Sequence, residues 1–106
     1  MHNPNTLHIE TIKVDWCDKD IVLLHACFQL LTDCIEKENL NLTTDWTQDD
    51  QFSSAKLEID ELYNWWKDRS KKEIDGRLDP IWAENQYEKD DEMLIRLIRI
   101  RKYLWT

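Results

Sequence analysis

SSAKLEIDELYNWWKDR, residues 53–69, is the stretch that decides the fold of this chain. Ala55, Ile59, Leu62 and Trp66 recur at intervals of three and four residues, which places them on one stripe of an α-helix. The whole chain has one glycine and two prolines, a composition that favours helices over loops. The sequence therefore predicts a central amphipathic helix over residues 53–69.

A first helix is predicted over residues 18–38, and its apolar arc is unusually wide. Two apolar stripes run along it, one through Ile21, Leu24, Phe28, Leu31 and Ile35 and the other through Leu23, Cys27, Leu30 and Cys34. A helix that is apolar over so wide an arc is buried on more than one side. We expect this helix to lie at the centre of a bundle or in an interface, and we expect a homodimer. Its narrow polar flank holds His25, Gln29, Asp33 and Glu36, and we expect His25 to be a partly exposed histidine rather than a ligand.

A third helix is predicted over residues 87–104. Its acidic residues come first and its basic residues last, an order that complements the helix dipole. The 106 residues suit one domain. We predict a mostly α single domain over residues 1–106, a three-helix or other helical bundle.

The N-terminal residues 1–16 are predicted to form a short extended arm. Ile12, Val14 and Trp16 alternate with Lys13 and Asp15, a pattern typical of a strand. A strand needs a partner. The alternating residues 40–46 are one candidate, and the same arm of a second subunit is the other.

The chain is strongly acidic, with a formal net charge of −8. Phosphates repel such a domain, so the composition disfavours direct nucleic-acid binding. It favours a basic partner, including a protein surface that itself binds nucleic acid, or a divalent cation, or solubility alone.

The three cysteines, Cys17, Cys27 and Cys34, lack the spacing of a metal site. We interpret them as reduced thiols of a cytoplasmic protein. The sequence shows no signal peptide and no run of the roughly 18 apolar residues that a membrane span needs. It also lacks a glycine-rich phosphate loop.

Two carboxylate pairs have a spacing that could serve a metal. Glu58 and Glu61 lie on the central helix, and Glu88 and Asp91 on the last, each pair three residues apart. Magnesium prefers such oxygen ligands, and facing helices can supply them. The metal site is the alternative interpretation, and the leading one is that the four acids face solvent.

The order Glu-x-x-Glu then Glu-x-x-Asp resembles the all-α, MazG-like nucleoside triphosphate pyrophosphatases and the dimeric dUTPases. This resemblance implies that the four acids bind magnesium and that the basic loop residues meet substrate phosphates. The residues concerned, Lys71, Lys72 and Arg77, lie in the segment 70–79, which is predicted to be a charged loop. They are the candidate anion-binding residues.

Six tryptophans in 106 residues point to a second function. Adjacent residues on a helix point about 100° apart, so one of Trp65 and Trp66 is expected to face the core and the other an interface. Tryptophan and tyrosine are favoured interface anchors. We therefore take Trp65, Trp66 and Tyr63 as candidate partner-binding residues.

Three stretches resemble short, uncharacterised proteins of tailed phages: DWCDKDIVLLHACFQLLTDCIEKE, EIDELYNWWKDR and YEKDDEMLIRLIRIRKYLWT. The resemblance implies a small accessory protein in the cytoplasm of a host cell, acting without catalysis on a host enzyme or defence complex. This is the leading prediction of function, and no cofactor goes with it. A magnesium-dependent nucleotide pyrophosphatase, or a degenerate relative, is the alternative.

Overall fold

A computed structural model describes residues 7–12, 18–76 and 84–104 of the chain. Three long helices and one short one form the described fold: α1 (Lys19–Glu36), α2 (Leu40–Thr43), α3 (Asp50–Ile74) and α4 (Glu84–Arg99). A 3-10 turn, Arg101–Tyr103, follows α4. The predicted all-α helical domain is confirmed.

The three long helices lie side by side, and their directions follow from the contacts between them. On α3, Tyr63 contacts Glu36 near the end of α1, whereas Glu73 contacts His25 near its start. Helix α3 is therefore antiparallel to α1. It is also antiparallel to α4, because Glu58 pairs with Arg96 and Arg69 pairs with Asp90. Helices α1 and α4 run parallel.

The core lies between the three helices and is built from the predicted stripes. Phe28 stacks on Trp66, with ring centroids 4.8 Å apart. Twelve buried residues make up this cluster: Leu24, Phe28, Leu31, Leu40, Trp46, Ala55, Ile59, Leu62, Trp66, Met93, Leu97 and Ile100. The predicted stripe over Ala55, Ile59, Leu62 and Trp66 is thus the core face of α3.

Helix α3 extends beyond residues 53–69 at both ends. It begins earlier because Asp49 caps it, its carboxylate accepting a hydrogen bond from the Phe52 amide at 2.9 Å. It continues through Ile74, so the prediction of a loop is wrong for residues 70–74. Lys71 and Lys72 lie in its last turn, where cations complement the helix dipole. Helix α3 ends before Gly76, whose φ of +75° favours glycine.

Residues 40–46 do not form the strand that their alternation suggested. Asn39 adopts a left-handed conformation with φ 56°, and the short helix α2 follows it directly. Leu40 and Trp46 are buried while Leu42 is 84% exposed. The alternation of apolar and polar residues in this segment therefore does not correspond to a half-buried strand.

The described part of the N-terminal arm, residues 7–12, is not a strand and packs against α1. The Glu10 amide donates a hydrogen bond to Gln29 Oε1 at 3.0 Å. The prediction of an extended arm over residues 1–16 falls otherwise on positions outside the described ranges. None of the described helices combines the length and unbroken hydrophobicity that a membrane crossing needs.

Candidate protein-binding surface

The two adjacent tryptophans of α3 differ in burial, as expected from their positions on a helix. Trp66 is 1% exposed and packs against Phe28 and His25, so it is a core residue and offers no surface to a partner. Trp65 is half-buried and also packs against Phe28, with ring centroids 5.4 Å apart. Of the pair, only Trp65 retains surface.

Tyr63, the third predicted anchor, is half-buried and its hydroxyl is already engaged. The hydroxyl donates a hydrogen bond to the Glu36 carboxylate, which raises the pKa of Tyr63 to about 12. Lys67 pairs with the same carboxylate at 2.9 Å. This cluster joins α1 to α3, so the hydroxyl of Tyr63 stabilises the packing of these two helices.

The predicted carboxylate pair of α3 is neutralised by a cation from α4. The Arg96 guanidinium makes a forked pair with Glu58 and lies 3.1 Å from Glu61. The hydrogen bond with Glu58 is the main reason that the pKa of Arg96 is raised. Arg96 therefore occupies the position at which a metal ion bound to these two carboxylates would lie.

The second carboxylate pair lies at a different level of the bundle. Arg96, not Glu88 or Asp91, is the α4 residue that contacts Glu58, and Glu88 lies about 12 Å further along the helix, at 1.5 Å per residue. Within residues 7–12, 18–76 and 84–104, no three His, Cys, Asp or Glu side chains are grouped to hold a metal ion. The four acids therefore do not fit one shared magnesium ion.

Two of the three predicted anion-binding residues, Lys71 and Lys72, lie in the last turn of α3. Lys72 pairs with Asp68 at 2.9 Å, one turn back on α3. Lys71 is exposed. Arg77 lies outside the described residues. Residues 70–74 are helical, so Lys71 and Lys72 lie on α3 rather than in a loop.

A buried polar network, which the sequence did not lead us to expect, joins the three long helices. Arg69 of α3 is 2% exposed and forms a forked pair with Asp90 of α4, at 2.8 and 2.6 Å. Its remaining nitrogen Nη1 reaches Glu73 at 2.8 Å. Burial opposes the charge on Arg69, but the two carboxylates outweigh it, so the pKa of Arg69 is raised.

His25 extends this network to the N-terminal arm. It is fully buried, with Nε2 2.8 Å from Glu73 Oε2 and Nδ1 2.6 Å from the Thr11 hydroxyl. Burial raises the pKa of Glu73, yet the hydrogen bonds from His25 and Arg69 outweigh burial and leave that pKa below its ordinary value. The expectation that His25 is partly exposed is wrong, because Glu73 and Thr11 of the arm lie against its two ring nitrogens.

The opposite side of α1 is apolar and exposed. Leu23 is 58% exposed and Leu30 is 45% exposed, and both belong to the second apolar stripe predicted for this helix. Ile98 of α4 is 54% exposed and lies one turn after Leu94, which lines a cavity together with Leu23. Cys27 and Leu94 are half-buried and pack against the core. We call this surface, made by Leu23, Cys27, Leu30, Leu94 and Ile98, the α1/α4 face.

One end of the α1/α4 face is an acidic notch. Asp20 of α1 accepts a hydrogen bond from the Tyr87 hydroxyl at 2.8 Å. That bond, with the charges of Asp91 and Asp90, raises the pKa of Tyr87. Asp20, Asp91 and Tyr87 surround a cavity of about 80 Å³ whose floor includes Leu23, Leu24 and Leu94. The face therefore combines an apolar centre with a negative end.

The sequence carried the signal for this face in the second stripe of the first helix, although it did not identify α4 as the other wall. Burial of the Cys27 thiol raises its pKa, so the thiol stays protonated and adds to the apolar surface. Comparison with protein-family models, curated proteins and solved structures finds no match for this chain.

Proposed function

We propose that this protein acts without catalysis, by docking a partner protein on the α1/α4 face. The observation that carries the proposal is the exposure of Leu23, Leu30 and Ile98 along two adjacent helices. Scattered apolar residues are ordinary on a surface, but a contiguous apolar patch is typical of an interaction site.

The partner that fits is an amphipathic helix with basic residues beside its apolar side. A groove between two parallel helices accepts the apolar side of a third helix. The notch formed by Asp20, Asp91 and Tyr87 supplies the charge that would attract a lysine or arginine. The net charge of −8 favours the encounter of such a partner over longer distances.

The setting we propose is the cytoplasm of a phage-infected cell, with a host enzyme or defence complex as the partner. This part of the proposal rests on the sequence alone, through the resemblance of three stretches to tailed-phage proteins. Cys27 is a free thiol in the structure, in keeping with a reducing compartment.

Binding of designed peptides tests the proposal. A helical peptide with leucines on one side and lysines beside them should bind, and a peptide with the same leucines but glutamates in place of the lysines should not. Leu30→Glu should weaken binding about tenfold or more, since it puts a charge in the apolar centre. Leu57→Glu is the matched control, because Leu57 is exposed on α3 and away from the face.

Asp20 and Asp91 are tested by the double variant Asp20→Asn with Asp91→Asn. It should weaken binding of the lysine peptide and reduce the dependence of affinity on salt. Calorimetric titration at two salt concentrations measures both effects. Equal binding of the lysine and glutamate peptides, or full affinity in Leu30→Glu, would refute the proposal.

A further inference from the structure

The apolar residues that α4 contributes to the α1/α4 face are flanked by charges in an order that is complementary to itself. Asp91, Leu94, Ile98 and Arg101 follow one another at intervals of three and four residues along α4 and the 3-10 turn after it. The series reads acid, apolar, apolar, base. When it is reversed, each charge meets its opposite and each apolar residue meets an apolar one. Within the described residues, neither Asp91 nor Arg101 is in an ion pair.

The two helices share nearly the same centre of symmetry. On α4, Arg96 is midway between Asp91 and Arg101 and also midway between Leu94 and Ile98. On α1, the midpoint of Leu23 and Leu30 falls between Ala26 and Cys27. The contacts Asp20–Tyr87 and Cys34–Leu104 fix the relative levels of the two helices. By those levels the two midpoints lie within about half a helical turn, roughly 3 Å, of each other.

We propose that a second copy of this chain covers the α1/α4 face in a symmetric, antiparallel dimer, and that partner binding competes with this dimer. A two-fold axis across the helices at the shared midpoint places α1 against α1 and α4 against α4 of the partner subunit. Leu23 then meets Leu30 of the partner subunit, and Asp91 meets Arg101 of the partner subunit. The competition rests on the proposed function, whereas the dimer stands without it.

The size of the face limits how tightly the two copies bind. Two helices, each about 10 Å across and about 20 Å long over this stretch, offer on the order of 400 Å² per copy. Stable complexes bury about 800 Å² per partner, so the dimer should be weak and in exchange with monomer. A weak dimer leaves the face available to a partner while shielding its leucines when no partner is present.

Sedimentation equilibrium of the full chain over a wide range of concentration tests the dimer. The mass should rise from one copy to two, and Asp91→Arg or Arg101→Glu alone should shift the protein to monomer. The double variant Asp91→Arg with Arg101→Glu should restore the dimer, which a merely structural role for either residue would not do. Glu88→Arg is the control, because Glu88 is an exposed acid of α4 outside this series.

A monomer at every concentration, or a double variant no better than the single ones, would overturn the proposed dimer. Competition is measured by adding the lysine peptide to the dimer. The mass should fall to that of one chain with one peptide, whereas a complex of two chains that also holds peptide would refute competition. A dimer that the peptide neither binds nor dissociates would retain the dimer but contradict the proposed function.

Discussion

The two flanks of α1 have opposite characters, and each is the reverse of what polarity alone would suggest. The flank that carries His25, Gln29 and Asp33 is polar but sealed, at 3% exposure or less. The flank that carries Leu23 and Leu30 is apolar but faces water. The difference lies in their neighbours. Glu73, Lys37 and the arm supply polar partners to the polar flank, whereas no described residue covers the apolar one. Internal polar groups stay buried where each finds a partner.

Removal of Arg69 should produce the largest loss of stability, because Arg69 neutralises two carboxylates of the buried network. Arg69→Ala leaves Asp90 and Glu73 buried without their cation, which should cost about 3–5 kcal/mol of the free energy of unfolding. Urea unfolding followed by circular dichroism measures the loss. Arg99→Ala is the control, since Arg99 is exposed and should change stability by no more than about 0.5 kcal/mol. A loss below about 1 kcal/mol for Arg69→Ala would mean that the network contributes little.

An effect of intermediate size is expected on the pH dependence of stability, through Glu73 of the buried network. The pKa of Glu73 is below 4.5 in the folded chain, so its ionised form stabilises the fold above that pH. This contribution is lost as the pH falls through the lowered pKa. Glu73→Gln should cost about 1–2 kcal/mol at pH 7, through weaker bonds to Arg69 and His25. Its stability should then fall less steeply in acid.

Thermal or urea unfolding between pH 7 and pH 3 tests this expectation. The curves of the natural protein and Glu73→Gln should converge at low pH, where Glu73 is protonated in the natural chain as well. Glu88→Gln, at an exposed position of α4, should keep the acid slope of the natural protein. Parallel curves for the natural protein and Glu73→Gln would show that another carboxylate governs acid unfolding.

The smallest effect is expected on the exposed flank. Leu30→Ala should change the stability of the monomer by less than about 0.5 kcal/mol, because Leu30 gains little burial in the bundle. The next residue, Leu31, is 0% exposed, and Leu31→Ala should cost about 2–5 kcal/mol. Unfolding at low protein concentration separates these values from any effect of self-association. Equal losses at the two positions would remove the contrast between the flanks.

The helices could be predicted from the sequence because apolar spacing and capping act locally. The stripe over Ala55, Ile59, Leu62 and Trp66 is the core face of α3 in the structure. The ends of the helices were less predictable. Residues 70–74 are charged and resemble a loop by composition, but cations in the last turn of a helix are favourable.

The buried network was missed because its partners are far apart in sequence. His25 reads as a polar flank residue until Glu73 is known to lie against it. A signal was present, since Arg69 and Glu73 continue the spacing of the core stripe of α3. Asp90 likewise precedes Met93 and Leu97 on the core side of α4. Charged residues that extend an apolar stripe indicate a buried ionic contact.

The candidate site was only partly predictable for a related reason. The second stripe of α1 indicated an interface, but its pairing with Leu94 and Ile98 depends on how α4 packs. The same packing brought Arg96 to Glu58 and Glu61, which the spacing of acids alone could not show.

The contribution of α4 to the core also has a consequence for folding during synthesis. Leu24, Phe28 and Leu31 are made well before Met93, Leu97 and Ile100, which complete the cluster around them. Until those residues are made, the core side of α1 can pack only against α2 and α3. A chain that stops before residue 93 would lack Met93, Leu97 and Ile100, and the core residues of α1 and α3 that pack around them would be exposed to water.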